Sequence, residues 1–113
     1  MTDDTERVAL VTGGAYGIGR ATALGFARQG AKVVIADVDD QGGAETVALI
    51  RAEGGEALSV HCDVSQPVEV AALFDQLLAA YGRLDYAFNN AGVEGYFDPL
   101  AESSDENFDS VIA

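Results

Sequence analysis

The string Thr12-Gly13-Gly14-Ala15-Tyr16-Gly17-Ile18-Gly19 joins a short apolar run to a helical pattern. Spaced glycines at that junction suit a phosphate-binding turn. Gly13 permits a tight turn off a strand, Gly17 removes a Cβ where a pyrophosphate would approach the backbone, and Gly19 lets the following helix pack closely on a sheet. The unpaired N–H groups at the helix start, with the positive end of its dipole, would hold the anion. The string contains no Gly-Lys-Ser/Thr, which excludes a nucleoside-triphosphate P-loop. Asp37 lies eighteen positions after Gly19, at the end of a second apolar run. A carboxylate there can accept hydrogen bonds from an adenosine ribose and would repel a 2′-phosphate. With no Arg or Lys at residues 14–16 or 38–41 to offset that repulsion, NAD is expected over NADP. The alternatives are that the glycines serve only a tight turn, and that Asp37 caps a loop together with Asp39 and Asp40.

These residues need particular elements to position them. "RVALVT" (7–12) and "KVVIADV" (32–38) read as buried strands, "ALSVHCDV" (57–64) as a third and "LDYAF" (84–88) as a fourth. Between them, 17–29 has apolar residues Ile18, Ala21, Leu24 and Ala27 at helical spacing, and Gly30 is placed as its terminator. Asp39 and Asp40 offer caps for a helix through about Ala52, with Ala44, Val47, Ala48 and the Arg51 stem on its inner face. Ser65 and Pro67 open a third helix bearing Val70, Leu73, Phe74, Leu77 and Leu78, which Gly82 ends. "SSDE" (103–106) is a capping-box pattern for a last, short helix. The alternation βαβαβαβα predicts an α/β fold, a doubly wound parallel sheet with helices on both faces, as one domain over residues 1–113. A fourth strand at an open sheet edge and a final helix of two turns lead us to expect a chain cut short after about four strands.

Composition narrows the function classes. Nineteen acidic residues against six basic ones give a formal charge of −13, which argues against nucleic acid or an anionic membrane as partner. The lone Cys62 rules out an internal disulfide and reads as core filler, and His61 beside it points to the opposite face of the strand. The polar start "MTDDTER" is unlike a targeting peptide, and no apolar run is long enough to span a bilayer, so a cytoplasmic setting is expected.

The four motifs in order, TGxxxGIG from Thr12, Asp37, Asp63-Val64 and Asn89-Asn90-Ala91-Gly92, resemble the short-chain dehydrogenase/reductase family across essentially the whole chain. The resemblance implies a Rossmann-type fold and an NAD-dependent oxidoreductase exchanging hydride with a small alcohol or carbonyl substrate. It places Gly13, Tyr16, Gly17, Ile18 and Gly19 on the pyrophosphate and Asp37 on the ribose. Asp63 and Val64 would border the adenine, and Asn90, Ala91 and Gly92 the nicotinamide ribose, while Asn89 ties strands together. For Asp63 and Asn90 a turn-forming side chain is the plainer reading. The family's serine and Tyr-x-x-x-Lys pair have no counterpart among the 113 residues, so no catalytic residue is assigned and the chain alone is expected to be inactive. A homo-oligomer is compatible with a full-length form. The alternatives are a non-catalytic module for NAD or an adenine nucleotide and, against the glycine spacing, a flavin or nucleotide-sugar enzyme.

Overall fold

The computed structural model describes residues 7–90. Within them strands and helices alternate as β1 (Val8–Thr12), α1 (Gly17–Arg28), β2 (Lys32–Asp37), α2 (Asp40–Ala52), β3 (Ala57–His61), α3 (Pro67–Tyr81) and β4 (Tyr86–Asn89). The strands are parallel and stand in the order β3-β2-β1-β4. The chain winds outward from β1 through β2 to β3, then crosses back to lay β4 on the free flank of β1. That reversal makes the C-terminal ends of β1 and β4 a topological switch point, the place where open α/β sheets bind ligands.

β1 and β2 form where apolar runs are rich in β-branched residues, stiff at χ1. Both faces of the sheet are covered, so β1 is buried at all five positions and shows no polar alternation. Successive side chains still part to opposite faces. Val8, Leu10, Val34, Ala36, Val60 and Cys62 pack with Leu73 and Leu77 of α3. Val11, Val33, Ile35 and Ala57 pack with Ala23 of α1 and with Val47 and Ile50 of α2. The doubly wound layers are therefore present, and Cys62 is core, its thiol pKa pushed up by burial.

The helix ends follow local chemistry. The Asp39 carboxylate accepts from the Gly42 N–H at 2.9 Å and caps α2. Gly82, at φ 77°, closes α3 in the left-handed conformation. Pro67 opens α3 as expected, but the residue at the cap is Gln66 and it makes no side-chain cap bond. Ser65 instead donates its hydroxyl to Asp63. Ahead of β4, the Asp85 carboxylate accepts from the Val8 N–H at 2.8 Å and from the fork of Arg83, which holds its pKa below the ordinary carboxylate range.

The expected helix faces hold in part: Leu24 and Ala27 of α1, Val47 of α2 and Val70, Leu73, Phe74 and Leu77 of α3 pack against the core, while other expected positions turn outward. In α1, Ile18 is 70% exposed and Ala21 is exposed, while Gly19 and Ala23 are buried. In α2 the inner face is Gly43, Thr46, Val47 and Ile50, with Ala44 and Ala48 outside. Leu78 of α3 is likewise exposed. In α1 the cause is close packing: the helix turns Gly19 and Ala23 inward and leaves the larger Ile18 outside. β3 ends at His61, leaving Asp63 and Val64 in the loop beyond it. The helix expected after 103–106 lies outside the described residues. Among the described residues no helix is long and apolar enough to cross a membrane.

Ile50→Ala should cost about 2–5 kcal/mol through its cavity, while Ile18→Ala should stay within about 0.5 kcal/mol. Urea unfolding of the two variants against the parent chain checks both, and equal losses would contradict the packing described.

Candidate functional site

The turn after β1 is tied to both neighbouring strands. The Gly13 N–H donates to the Ala36 carbonyl of β2 at 2.7 Å, and the Gly13 carbonyl accepts from Asn90 Nδ2 at 3.3 Å. One residue earlier, the Thr12 hydroxyl donates to Asn89 Oδ1 of β4 at 2.8 Å. Asn89 thus ties strands together, and Asn90 links the end of β4 to the turn after β1.

Gly13 and Gly19 take the tight turn and the close packing expected of them. Gly13 has φ 71°. Gly17 has φ 59°, and a Cβ on it would meet nothing within 4 Å, so its outer side is open. Gly19 is buried, and a Cβ there would overlap the Gly13 carbonyl. The first turn of α1 consequently sits directly on the end of β1. Its N-cap, Tyr16, makes no side-chain cap bond, and no acidic residue stands in the first turn. The first helical bond is Arg20 N–H to the Tyr16 carbonyl. The N–H groups of Gly17, Ile18 and Gly19 precede that bond and have no intrahelical acceptor. An uncapped helix start beside an open glycine fits an anion. At α2 the corresponding place is taken by the carboxylate of Asp39.

The carboxylates group beside this opening. Asp37 accepts from the Ala15 N–H at Oδ2 (3.1 Å) and from the Asp39 N–H at Oδ1 (2.9 Å). It therefore does cap local backbone, and each oxygen has a further lone pair for another donor. Tyr16 is exposed and donates its hydroxyl to Asp39 Oδ2 at 3.0 Å. That bond raises the Tyr16 pKa, and the Gly42 N–H, followed by the Tyr16 hydroxyl, lowers that of Asp39. The Arg20 guanidinium lies 5.2 Å from the centre of the Tyr16 ring.

Asp63 and Val64 stand apart from this group. Asp63 accepts from the Ser65 N–H and hydroxyl at 3.0 and 2.7 Å, an Asx-type turn that lowers its pKa. Val64 packs against the α3 side of the core. His61 is exposed and bonds Asp40 Oδ1 at 2.7 Å, which raises the imidazole pKa. Ala91 and Gly92 lie outside the described residues.

Two participants escaped the sequence reading. Thr46, fully buried in α2, donates to the Gly14 carbonyl at 2.8 Å, and Arg20 Nε donates to Thr46 Oγ1 at 2.8 Å. The available signal was a polar residue inside an apolar helix face, close to the Gly42-Gly43 pair. A Cβ on Gly42 would come within 2.7 Å of both Ala15 and Tyr16, so that glycine lets α2 lie against the turn.

A sequence model for short chain dehydrogenases matches residues 7–113. Momilactone A synthase of Oryza sativa subsp. japonica is 47% identical over 111 residues, covering 95% of this chain and 39% of its own length. A short-chain dehydrogenase/reductase of Burkholderia phymatum, solved in complex with NAD, superposes with TM-score 0.72 at 41% identity, over 77% of this chain and 31% of that one. A metagenomic short-chain oxidoreductase solved in complex with NADP superposes with TM-score 0.72 at 38% identity, over 76% of this chain and 39% of that one. The chain thus spans well under half the length of these relatives.

Gly19→Ala should destabilise the chain by about 1–3 kcal/mol by overpacking against the Gly13 carbonyl, measurable as a lowered urea midpoint. His61, the sole histidine, should titrate above the ordinary value, and Asp40→Asn should return it toward about 6.5. Its raised pKa makes the pair stabilising below the unfolded value, a contribution lost as pH rises through the folded one. The imidazole proton shift followed by NMR checks the direction, and an unchanged midpoint in Asp40→Asn would refute the pairing.

Proposed function

The chain belongs to the short-chain dehydrogenase family, and from that premise we propose that residues 1–113 form one Rossmann-type dinucleotide-binding domain, the N-terminal part of a longer oxidoreductase that prefers NAD. The family binds a nicotinamide cofactor and acts on small molecules. The observation that carries the reading here is the uncapped first turn of α1, with Gly17 open and Gly19 against the Gly13 carbonyl, beside the Asp37 carboxylate. When bound, the nicotinamide supplies the ring carbon that exchanges hydride with an alcohol or carbonyl substrate.

The chain's own residues bind and orient. The backbone from Gly13 through Tyr16, Gly17, Ile18 and Gly19 holds the pyrophosphate, and Asp37 accepts from the adenosine ribose through its remaining lone pairs. Asp63, kept ionised by Ser65, and Val64 border the adenine. Asn90, Ala91 and Gly92 border the nicotinamide ribose. A 2′-phosphate would face Asp37 with Asp39 two residues away. Arg20, the nearby cation, is engaged by Thr46, the Gly42 carbonyl and Glu45. The relatives include both an NAD and an NADP complex, so the preference for NAD rests on these charges. A cytoplasmic location and a homo-oligomer of the full-length form belong to the same proposal.

A second reading is a non-catalytic NAD or adenine-nucleotide module, which the same turn and carboxylate would serve equally. Under either reading the chain by itself binds without turning over alcohols, and cofactor-dependent turnover by the purified chain would refute that. Calorimetry should show saturable NAD binding, with NADP weaker by about tenfold or more. Asp37→Ala should narrow the difference. Equal affinities in the parent chain would overturn the assignment to Asp37.

A further inference from the structure

The Gly14–Ala15 peptide is held from both sides. Its carbonyl accepts from the buried Thr46 hydroxyl at 2.8 Å. Its N–H, on Ala15, donates to Asp37 Oδ2 at 3.1 Å. In a trans peptide these two groups point in opposite directions, so the plane cannot turn without breaking both bonds.

Thr46 lies within reach of three carbonyls, those of Gly14 (2.8 Å), Ala15 (3.3 Å) and Gly42 (3.2 Å), yet a hydroxyl has one proton. Arg20 Nε donates to Thr46 Oγ1 at 2.8 Å and occupies one of its lone pairs. The Thr46 proton is thereby turned away from the guanidinium and onto the shortest acceptor, the Gly14 carbonyl. A donor bearing positive charge polarises the hydroxyl and strengthens the bond it donates. Arg20 is itself steadied by the Gly42 carbonyl at 3.2 Å and by Glu45 at 3.1 Å, and three-quarters of its side chain is covered.

We infer that Thr46 and Arg20 are positioning residues which, through the Gly14–Ala15 peptide, set the direction of the Asp37 carboxylate and so tune recognition of the adenosine ribose. The relay runs Arg20 guanidinium, Thr46 hydroxyl, Gly14 carbonyl, Ala15 N–H, Asp37 carboxylate. It rests on the cofactor reading proposed above, but it makes a claim about the free protein as well. Without the Thr46 hydroxyl, the buried Gly14 carbonyl loses its partner and the peptide plane is released. Asp37 then loses one of the two N–H donors that orient it. The expected signature separates this role from packing: Thr46→Val keeps the volume and removes the hydroxyl, whereas Thr46→Ser keeps the hydroxyl and removes a methyl.

The test uses the 113-residue chain, with NAD and NADP affinities from calorimetry and the Ala15 amide followed by 15N NMR. Thr46→Val should weaken NAD by about tenfold, the scale of one lost hydrogen bond, reduce the NAD-to-NADP ratio and shift the Ala15 amide. Thr46→Ser should restore all three. Arg20→Lys, which retains the charge but lacks the Nε donor, should move the Ala15 amide in the same direction and gives the result should Thr46→Val not fold. An Ala15 amide unmoved in Thr46→Val, or in Arg20→Lys where that is the folded variant, overturns the relay, whatever the chain binds. A Thr46→Ser chain as impaired as Thr46→Val overturns it too, by assigning the effect to the lost methyl. Failure of the parent chain to bind NAD instead overturns the cofactor reading, and with it the claim about ribose recognition.

Discussion

The first turn of α1 rests on the end of β1 with no room for a Cβ between Gly19 and the Gly13 carbonyl. Much of the candidate site follows from that contact. It brings the free N–H groups of a helix start to the C-terminal ends of β1 and β4, and it obliges the chain between them to turn sharply through Gly13. The turn in turn leaves Ala15 and Tyr16 projecting toward α2, which can approach because Gly42 lacks a side chain. A larger residue at either glycine would push apart elements that otherwise share hydrogen bonds.

A chain carrying a formal charge of −13 is an unpromising receptor for an anion. The structure resolves this locally. Charges farther away than about 8–10 Å are largely screened at moderate salt, so what matters is the arrangement near the helix start. No acid stands in the first turn of α1. The carboxylates of Asp37 and Asp39 lie one step aside, each accepting from backbone N–H groups. The same neighbourhood therefore sets free backbone donors beside carboxylate acceptors.

Much of the architecture was legible in the residues because it rests on local rules. Apolar runs rich in β-branched residues at 8–12 and 32–37, glycines after helices and Asp39 before one are all set by backbone sterics and nearest neighbours. The helix faces were less legible. Apolar spacing places a stripe on a helix, but Thr46 turns inward over Ala48 because of the Gly14 carbonyl it meets, and the choice between Ile18 and Gly19 depends on how near the helix comes to the sheet. Hydrophobicity counted from sequence favours the larger residue, and close approach favours the smaller.

The sequence by itself determined the alternation of elements, the residues able to make a phosphate turn and the carboxylate at the end of the second strand, since each depends on neighbours within a few positions. Only the tertiary structure decided which partners those and other groups meet. Asn90 meets the Gly13 carbonyl across 77 positions, and Thr46 meets the Gly14 carbonyl across 32. Those meetings arise from the strand order β3-β2-β1-β4 and from helices seated close upon it. A buried hydroxyl takes its role from whichever carbonyl the fold sets before it, and no spacing along the chain specifies that acceptor.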